Sequence, residues 1–318
     1  MTRDTDMFLA VAAKMVGRPV EEFGEIRDEP DQAGVIAREA SAKEIDEAQH
    51  EIGYSARLLV QATMPHSQPA PDVTEFERSN GLVTVRIQSP RKYGLPFGTY
   101  PRLLLAWITT EAVRTKSPEL ELGDSLSQFM ARLDLTKSGG EQGSVPRLRN
   151  HMQRLFTSTV SAEYQKAGEW QHVSFCPVEG ACIFWDPKSP EQGALWRSTV
   201  QLNQRFYEEI VYRPVPIDLA ALRELARERS PMAIDIYQWL THRMSYLRQP
   251  YTIPWESLQL QFGGDYKRVR AFREKFLRQL KRVVEVYPQV RVEPGSSGLL
   301  IKPSRTHVPM RAIRGGRR

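Results

Sequence analysis

Apolar and polar positions alternate along the chain in an order that occurs twice. GLVTVRIQS has period two, with Leu82, Val83, Val85 and Ile87 among polar residues, and predicts a strand. In GTYPRLLLAWITTEAVRTKSP, Thr99 stands where an N-cap belongs, and Pro101 falls in the first turn, where its missing N–H costs little. Leu103, Leu104, Trp107 and Ile108 make this helix apolar nearly all round, so burial is expected. GDSLSQFMARLDL predicts a second helix, capped by Asp124 or Ser125, with Leu126, Phe129, Met130 and Leu133 in helical step. After the Gly-rich break KSGGEQGS comes a third, VPRLRNHMQRLFTSTVS. Leu148, Met152, Leu155 and Thr159 share one of its faces; Arg147, Arg149, Asn150, Gln153 and Arg154 occupy the other. WQHVSFC, ACIFWD and WRSTVQLNQRF follow as short β pieces, and Tyr207 and Tyr212 read as strand aromatics.

The order then recurs. IDLAALRELARE predicts a short helix with Leu219, Leu222 and Leu225 in step. SPMAIDIYQWLTHRMSYLR starts with Ser230 as N-cap and Pro231 at the first position, over a core face that includes Ala233, Ile236, Tyr237 and Leu240. PWESLQLQFGG predicts a helix with Trp255, Leu258 and Phe262 on one side, ended by glycine, and its ESLQLQF echoes DSLSQF. A basic helix follows, and then VRVEP-GSSG-LLIKP, two strands about a Gly/Ser turn.

Each half therefore reads helix, helix, basic helix, hairpin, the layout of a winged helix-turn-helix domain. The expected fold class is α+β, mainly helical, with tandem winged helix-turn-helix domains over 76–213 and 214–305 and the joint in Tyr212–Ile217. An acidic segment with a linker precedes them (1–75), and a basic tail follows (306–318). Within the first segment, Ala40–Ala62 has helical composition and the Pro-rich Met64–Asp72 reads as the linker.

Charge sharpens this picture. Residues 1–53 carry 6 basic and 13 acidic residues, 54–215 carry 18 and 16, and 216–318 carry 20 and 9. An acidic head and a strongly basic final third point to a polyanionic partner for the latter. With Val269 at the origin of a helical wheel, Phe272, Phe276, Leu280, Val283 and Val284 fall within about 60° of it. Lys267, Arg268, Arg270, Lys275, Arg278, Lys281 and Arg282 lie on the opposite side, and Arg273 lies near the apolar edge, where it can snorkel. Like charges three or four apart weaken a helix by a few tenths of a kcal/mol per pair. Phosphates relieve that repulsion, and each one neutralised releases a counterion. Arginine can also read guanine edges in a major groove wide enough for a helix. Arg291, Lys302 and Arg305 flank the turn Gly295–Gly298 and suit backbone contact. A cationic helix face alone is usually a solvated surface. Its third place, ahead of a hairpin and in both halves, is what favours DNA.

Catalytic signatures are missing. No GxxxxGK[ST] loop, no HExxH and no zinc-spaced cysteine pair occurs, so neither cofactor nor metal is expected. His50, His66, His151, His172, His242 and His307 are scattered and read as surface or partly buried. Trp185, Trp196 and Trp239 read as core. No apolar run approaches a membrane span. Cys176 and Cys182 give no disulfide framework, which fits a reduced, cytoplasmic setting.

Lys92–Leu135 resembles the RepA-type replication initiators of bacterial plasmids, most specifically in the run GLPFGTYPRLLLAW and in LGDSLSQF. The likeness continues in outline to about Pro303. It implies a non-catalytic protein that binds double-stranded DNA at direct repeats (iterons) in a plasmid origin. It further implies opening of AT-rich DNA, recruitment of the host initiator and replicative helicase, and self-repression as a homodimer. Two alternatives stay open: a transcriptional repressor that never opens DNA, and a rolling-circle nicking enzyme.

Overall fold

The computed structural model describes residues 51–309, apart from 58–59, 61–62, 80–82, 137, 139–142, 167–168, 185–197, 213 and 264–265. The fold is α+β. Among the described residues it has eight helices and four small antiparallel sheets. Leu82, Trp185 and Trp196 lie outside the described residues, as does His50.

The first half begins with β1 (Ile52–Ser55), β2 (Glu75–Ser79) and β3 (Val83–Gln88). Helix α1 (Thr99–Thr115) follows, then β4 (Glu119–Gly123), α2 (Leu126–Arg132), α3 (Ser144–Phe156), β5 (Thr159–Lys166), β6 (Glu169–Phe175), β7 (Val178–Cys182), β8 (Ser198–Leu202) and α4 (Gln204–Tyr212). The second half is β9 (Val215–Asp218), α5 (Leu219–Arg227), α6 (Pro231–Met244), β10 (Tyr251–Pro254), α7 (Trp255–Phe262), α8 (Val269–Val286), β11 (Arg291–Pro294) and β12 (Gly298–Lys302).

Strand order exposes the internal repeat. One sheet runs β4-β8-β7, the other β10-β12-β11. In both, the strand after the most deeply buried helix of the half (β4 after α1, β10 after α6) pairs with the last strand of the closing hairpin. DSLSQF and ESLQLQF, alike in letters, lie on α2 and α7, in equivalent places of the two orders. The first half additionally carries the hairpin β5–β6, which extends β2–β3 into a four-stranded sheet of order β2-β3-β5-β6.

Helix α1 is a shared spine. Pro101 to Thr109 are all buried. Leu104, Leu105, Trp107 and Ile108 belong to the first core, whereas Leu103 and Ala106 pack into the second. Its N-cap is Gly98, not Thr99: the backbone there has φ 73 and ψ −156, a region closed to side chains with a Cβ. Ser125 caps α2, accepting from the Gln128 N–H at 3.2 Å, and Ser230 caps α6 with Pro231 in its first turn.

Further expectations are corrected. Tyr207 and Tyr212 lie on helix α4, not on a strand, because Phe206 and Ile210 are its buried positions at helical spacing. Thr159 opens β5, since α3 ends at Phe156. Strand β9, which begins within the segment Tyr212–Ile217, pairs antiparallel with β1, Ile52 opposite Asp218 and Ser55 opposite Val215, and Ile217 is fully buried. Ile52–Ser55, read within a helical stretch, is that strand's partner, and it gains ladder bonds that a helix would not offer. His151 and His307 are buried, while Cys176 and Cys182 are free and exposed.

Candidate nucleic-acid interface

Helix α8 is one uninterrupted rod of 18 residues, about 27 Å long. Phe272, Phe276, Leu280 and Val283 are buried and Val284 is half-buried against the same core. The opposite face carries Arg270, Arg278 and Lys281, all exposed, with Lys275 half-buried. Lys267 and Arg268 stand exposed just before the first turn. Among the described residues, Lys267, Arg268, Lys275, Arg278 and Lys281 have no ion-pair partner. Arg270 meets Glu274 at 3.3 Å with its side chain 90% exposed, a pairing of little strength in water. Arg282 is more committed, lying 2.9 Å from Glu228 on the α5–α6 loop and donating to Gln279 at 3.2 Å.

The hairpin is tied to this helix. Arg273 crosses the indole of Trp255 at 5.0 Å and donates to the Gly295 carbonyl at 3.1 Å. The Trp255 Nε1–H donates to the same oxygen at 3.1 Å. The turn closes through the Gly295 N–H onto the Gly298 carbonyl at 2.8 Å. Any side chain at Gly298 would place its Cβ 2.1 Å from the Ile253 carbonyl, so only glycine lets β12 approach β10. Arg291 and Lys302 sit directly opposite each other across the ladder, a like-charge pair that an anion would relieve. Lys302 is half-buried and paired with Glu293; Arg305 and Arg291 are exposed.

Helix α3 occupies the equivalent place in the first half. Val145, Leu148, His151, Met152 and Leu155 are buried, and Arg147, Arg149, Asn150 and Gln153 are exposed. Arg154 is held by the protein: its Nη1–H donates to the Leu95 carbonyl at 3.1 Å, its Nε–H to Asn150 Oδ1 at 2.6 Å, and it lies 5.2 Å above Phe97. His151 stacks on Tyr100 with ring centres 4.9 Å apart and meets Phe97 edge-on at the same distance. Burial, then the charges of Arg154 and Arg147, lower its pKa to about 4, so it is neutral at pH 7.

The α5–α6 loop stands between the two basic helices. Arg227 pairs with Asp134 beyond α2, Glu228 with Arg282 of α8, and Ser230 bonds Gln279 of α8. Arg229, exposed and left-handed at φ 52, acts with Arg147 on the Tyr100 hydroxyl, whose pKa is raised chiefly by burial. Sequence reading did not single out Arg229, because no helical period contains it.

It also passed over a buried pair. Arg102 of α1 is 2% exposed and Asp235 of α6 is 5% exposed. The guanidinium forks onto the carboxylate at 2.6 Å through both Nε and Nη2. Its remaining N–H groups reach the carbonyls of Gly98 (2.6 Å), Met64 (2.8 Å) and Pro65 (3.4 Å). His66 Nε2 lies 2.8 Å from the second carboxylate oxygen. Burial works against the ionised Asp235, yet the Arg102 charge and the two side-chain hydrogen bonds hold its pKa below the usual range. Burial lowers the pKa of His66. The readable signal was one charge in each of two helix-forming stretches that hold no other, PRLLLAW and MAIDIYQW.

Among the described residues no group of side chains suits a metal ion, and no helix is long and apolar enough to cross a membrane. The chain matches the family described as plasmid encoded RepA protein over residues 95–257. No curated protein matches it. Two crystal structures of domains 2 and 3 of RctB are similar in fold. The selenomethionine derivative aligns with TM-score 0.50 at 13% identity, covering 77% of this chain and 95% of that one. The other gives TM-score 0.48 at 13% identity, covering 77% and 96%.

Proposed function

The chain belongs to the family of plasmid-encoded RepA proteins, the RepA-type replication initiators, and from that premise we propose that it binds direct repeats in a plasmid origin through two winged-helix modules. In this reading α3 and α8 are the recognition helices and β11–β12 is the wing of the second module. The observation that carries it is the set Lys275, Arg278 and Lys281 on α8, without an ion-pair partner among the described residues, held outward by buried phenylalanines and flanked by a hairpin braced through Arg273 and Trp255. Such a helix fits the major groove, and Arg291 and Arg305 of the wing lie where phosphate contacts would fix its register.

Two modules in one chain suit successive major grooves, about 34 Å apart on one face of the duplex. Binding at several repeats would strain and help open neighbouring AT-rich DNA, where the host initiator and replicative helicase are recruited. No residue is assigned a catalytic step, and the working state on or off DNA is a monomer or a homodimer.

Selection of bound sequences from random duplexes tests the binding: the expected product is one motif recovered twice in direct orientation. Permanganate footprinting of a supercoiled origin tests the opening. Reactive thymines beside the repeats support an initiator. Repeat binding without them makes the protein a repressor only, and a covalent protein–DNA adduct makes it a nicking enzyme.

A further inference from the structure

We propose that the Arg102–Asp235 pair sets the rotation between the two modules, and so decides which spacing of DNA elements α3 and α8 can occupy together. The proposal rests on the reading that both helices face one duplex.

Helices α1 and α6 are the helices that lead into β4 and β10, the first strands of the two three-stranded sheets, and each carries its charge near the start, Arg102 four residues beyond Gly98 and Asp235 five beyond Ser230. The pair therefore joins the modules through equivalent elements. Met64 and Pro65 bring the segment ahead of the first module into the same knot.

Around this point the contact is apolar, with Leu103 and Ala106 of α1 packed into the second core. Apolar burial is non-directional and would tolerate small rotations and slides. A fork with two N–H···O bonds of 2.6 Å tolerates neither, because both bonds are kept at only one angle between the planes. Every N–H of the guanidinium has an acceptor, so a rotation would orphan buried donors as well as separate the charges.

Desolvation largely cancels the attraction in a buried pair, and a well-packed apolar replacement is often neutral or better. In some proteins a buried polar or ionic group fixes one arrangement among similar ones, a service separate from stability. Here the arrangement is the angle between two DNA-facing helices.

The test uses the full chain and duplexes carrying the selected motif pair with insertions of up to about 10 base pairs, one helical turn, between the motifs. Wild type is expected to lose about tenfold or more in affinity when about half a turn is inserted. Arg102→Met with Asp235→Leu removes both charges together and leaves no orphan. This variant is expected to bind a single-motif duplex within about twofold of wild type while its spacing penalty falls below about threefold. A variant that melts cooperatively and keeps the wild-type spacing profile overturns the proposal. If it does not fold, Asp235→Asn, which retains shape and one good acceptor, is measured instead; partial flattening supports the proposal and an unchanged profile overturns it. Wild type that ignores insertions, while Arg149→Ala and Arg278→Ala each weaken binding, overturns the proposal and leaves the two-module reading intact. If Arg149→Ala has no effect on any duplex, that reading fails and the proposal falls with it.

Discussion

On α8 the buried side is phenylalanine and aliphatic, and the outer side holds Lys275, Arg278 and Lys281, which have no ion-pair partner among the described residues, beside Arg270 and Arg282, which meet Glu274 and Glu228. On α3, in the same place of its module, a histidine is buried, one arginine is fastened to the Leu95 carbonyl and to Phe97, and an asparagine is fastened to that arginine. The first helix uses part of its polar sequence to attach itself to the GLPFGTY loop. The second ties down Arg273 and Arg282 and leaves Arg270, Arg278 and Lys281 exposed to solvent. Two helices that look alike as strings of cations thus differ in how many of those cations are free for a ligand.

The largest expected difference between them is a response to acid. His151, with its pKa lowered to about 4 from 6.5, binds its proton more readily unfolded than folded. The stability it contributes is complete above pH 6.5 and is lost as pH falls toward 4, a change on the order of 3 kcal/mol. Urea titrations across that window should show it, and His151→Phe should flatten the profile. An equally steep profile in the variant would assign acid sensitivity elsewhere. Next comes Arg278→Ala with Lys281→Ala, expected to weaken origin binding by about 2 kcal/mol and to reduce the salt slope by about two, with little change in melting temperature. A gel-shift titration with unaltered affinity would take α8 off the contact surface. Arg154→Ala should behave in the opposite way. It loses about 1–2 kcal/mol of folding stability, with the salt slope unmoved. Smallest is Arg149→Ala, at about 1 kcal/mol of affinity and about one unit of slope; a larger loss than the α8 pair suffers would reverse the ranking of the two helices.

Much of the helical framework was legible because it rests on local periodicity. The buried stripe of α8, the caps at Ser125 and Ser230, and the Gly/Ser turn before β12 all declare themselves within a few residues. Strands β4 and β10 did not. ELELG and YTIP are four or five residues long, and each is stabilised by pairing with a partner remote in sequence, β8 and β12. FYEEIVY failed for a related reason: its aromatic and β-branched content suits a strand, and only packing of Phe206 and Ile210 into the core decides for a helix. At the interface, periodicity located the outward cations but could not say which were already engaged. The attachments of Arg154, Arg282 and Lys302 are made to a loop, to another helix's end and to a neighbouring strand. Arg102 and Asp235 were missed because each, alone, is a flaw in a mostly apolar stretch, and only together do they make sense.

The ladder between Ile52–Ser55 and Val215–Asp218 has a consequence for synthesis. Its first strand leaves the ribosome long before its second, with the whole first module made in between. Until Asp218 emerges, Ile52–Ser55 waits with its backbone groups open, a free edge available to the wrong neighbour. A nascent chain stalled just short of Val215 would have every residue of the first module and still lack the partner strand of Ile52–Ser55.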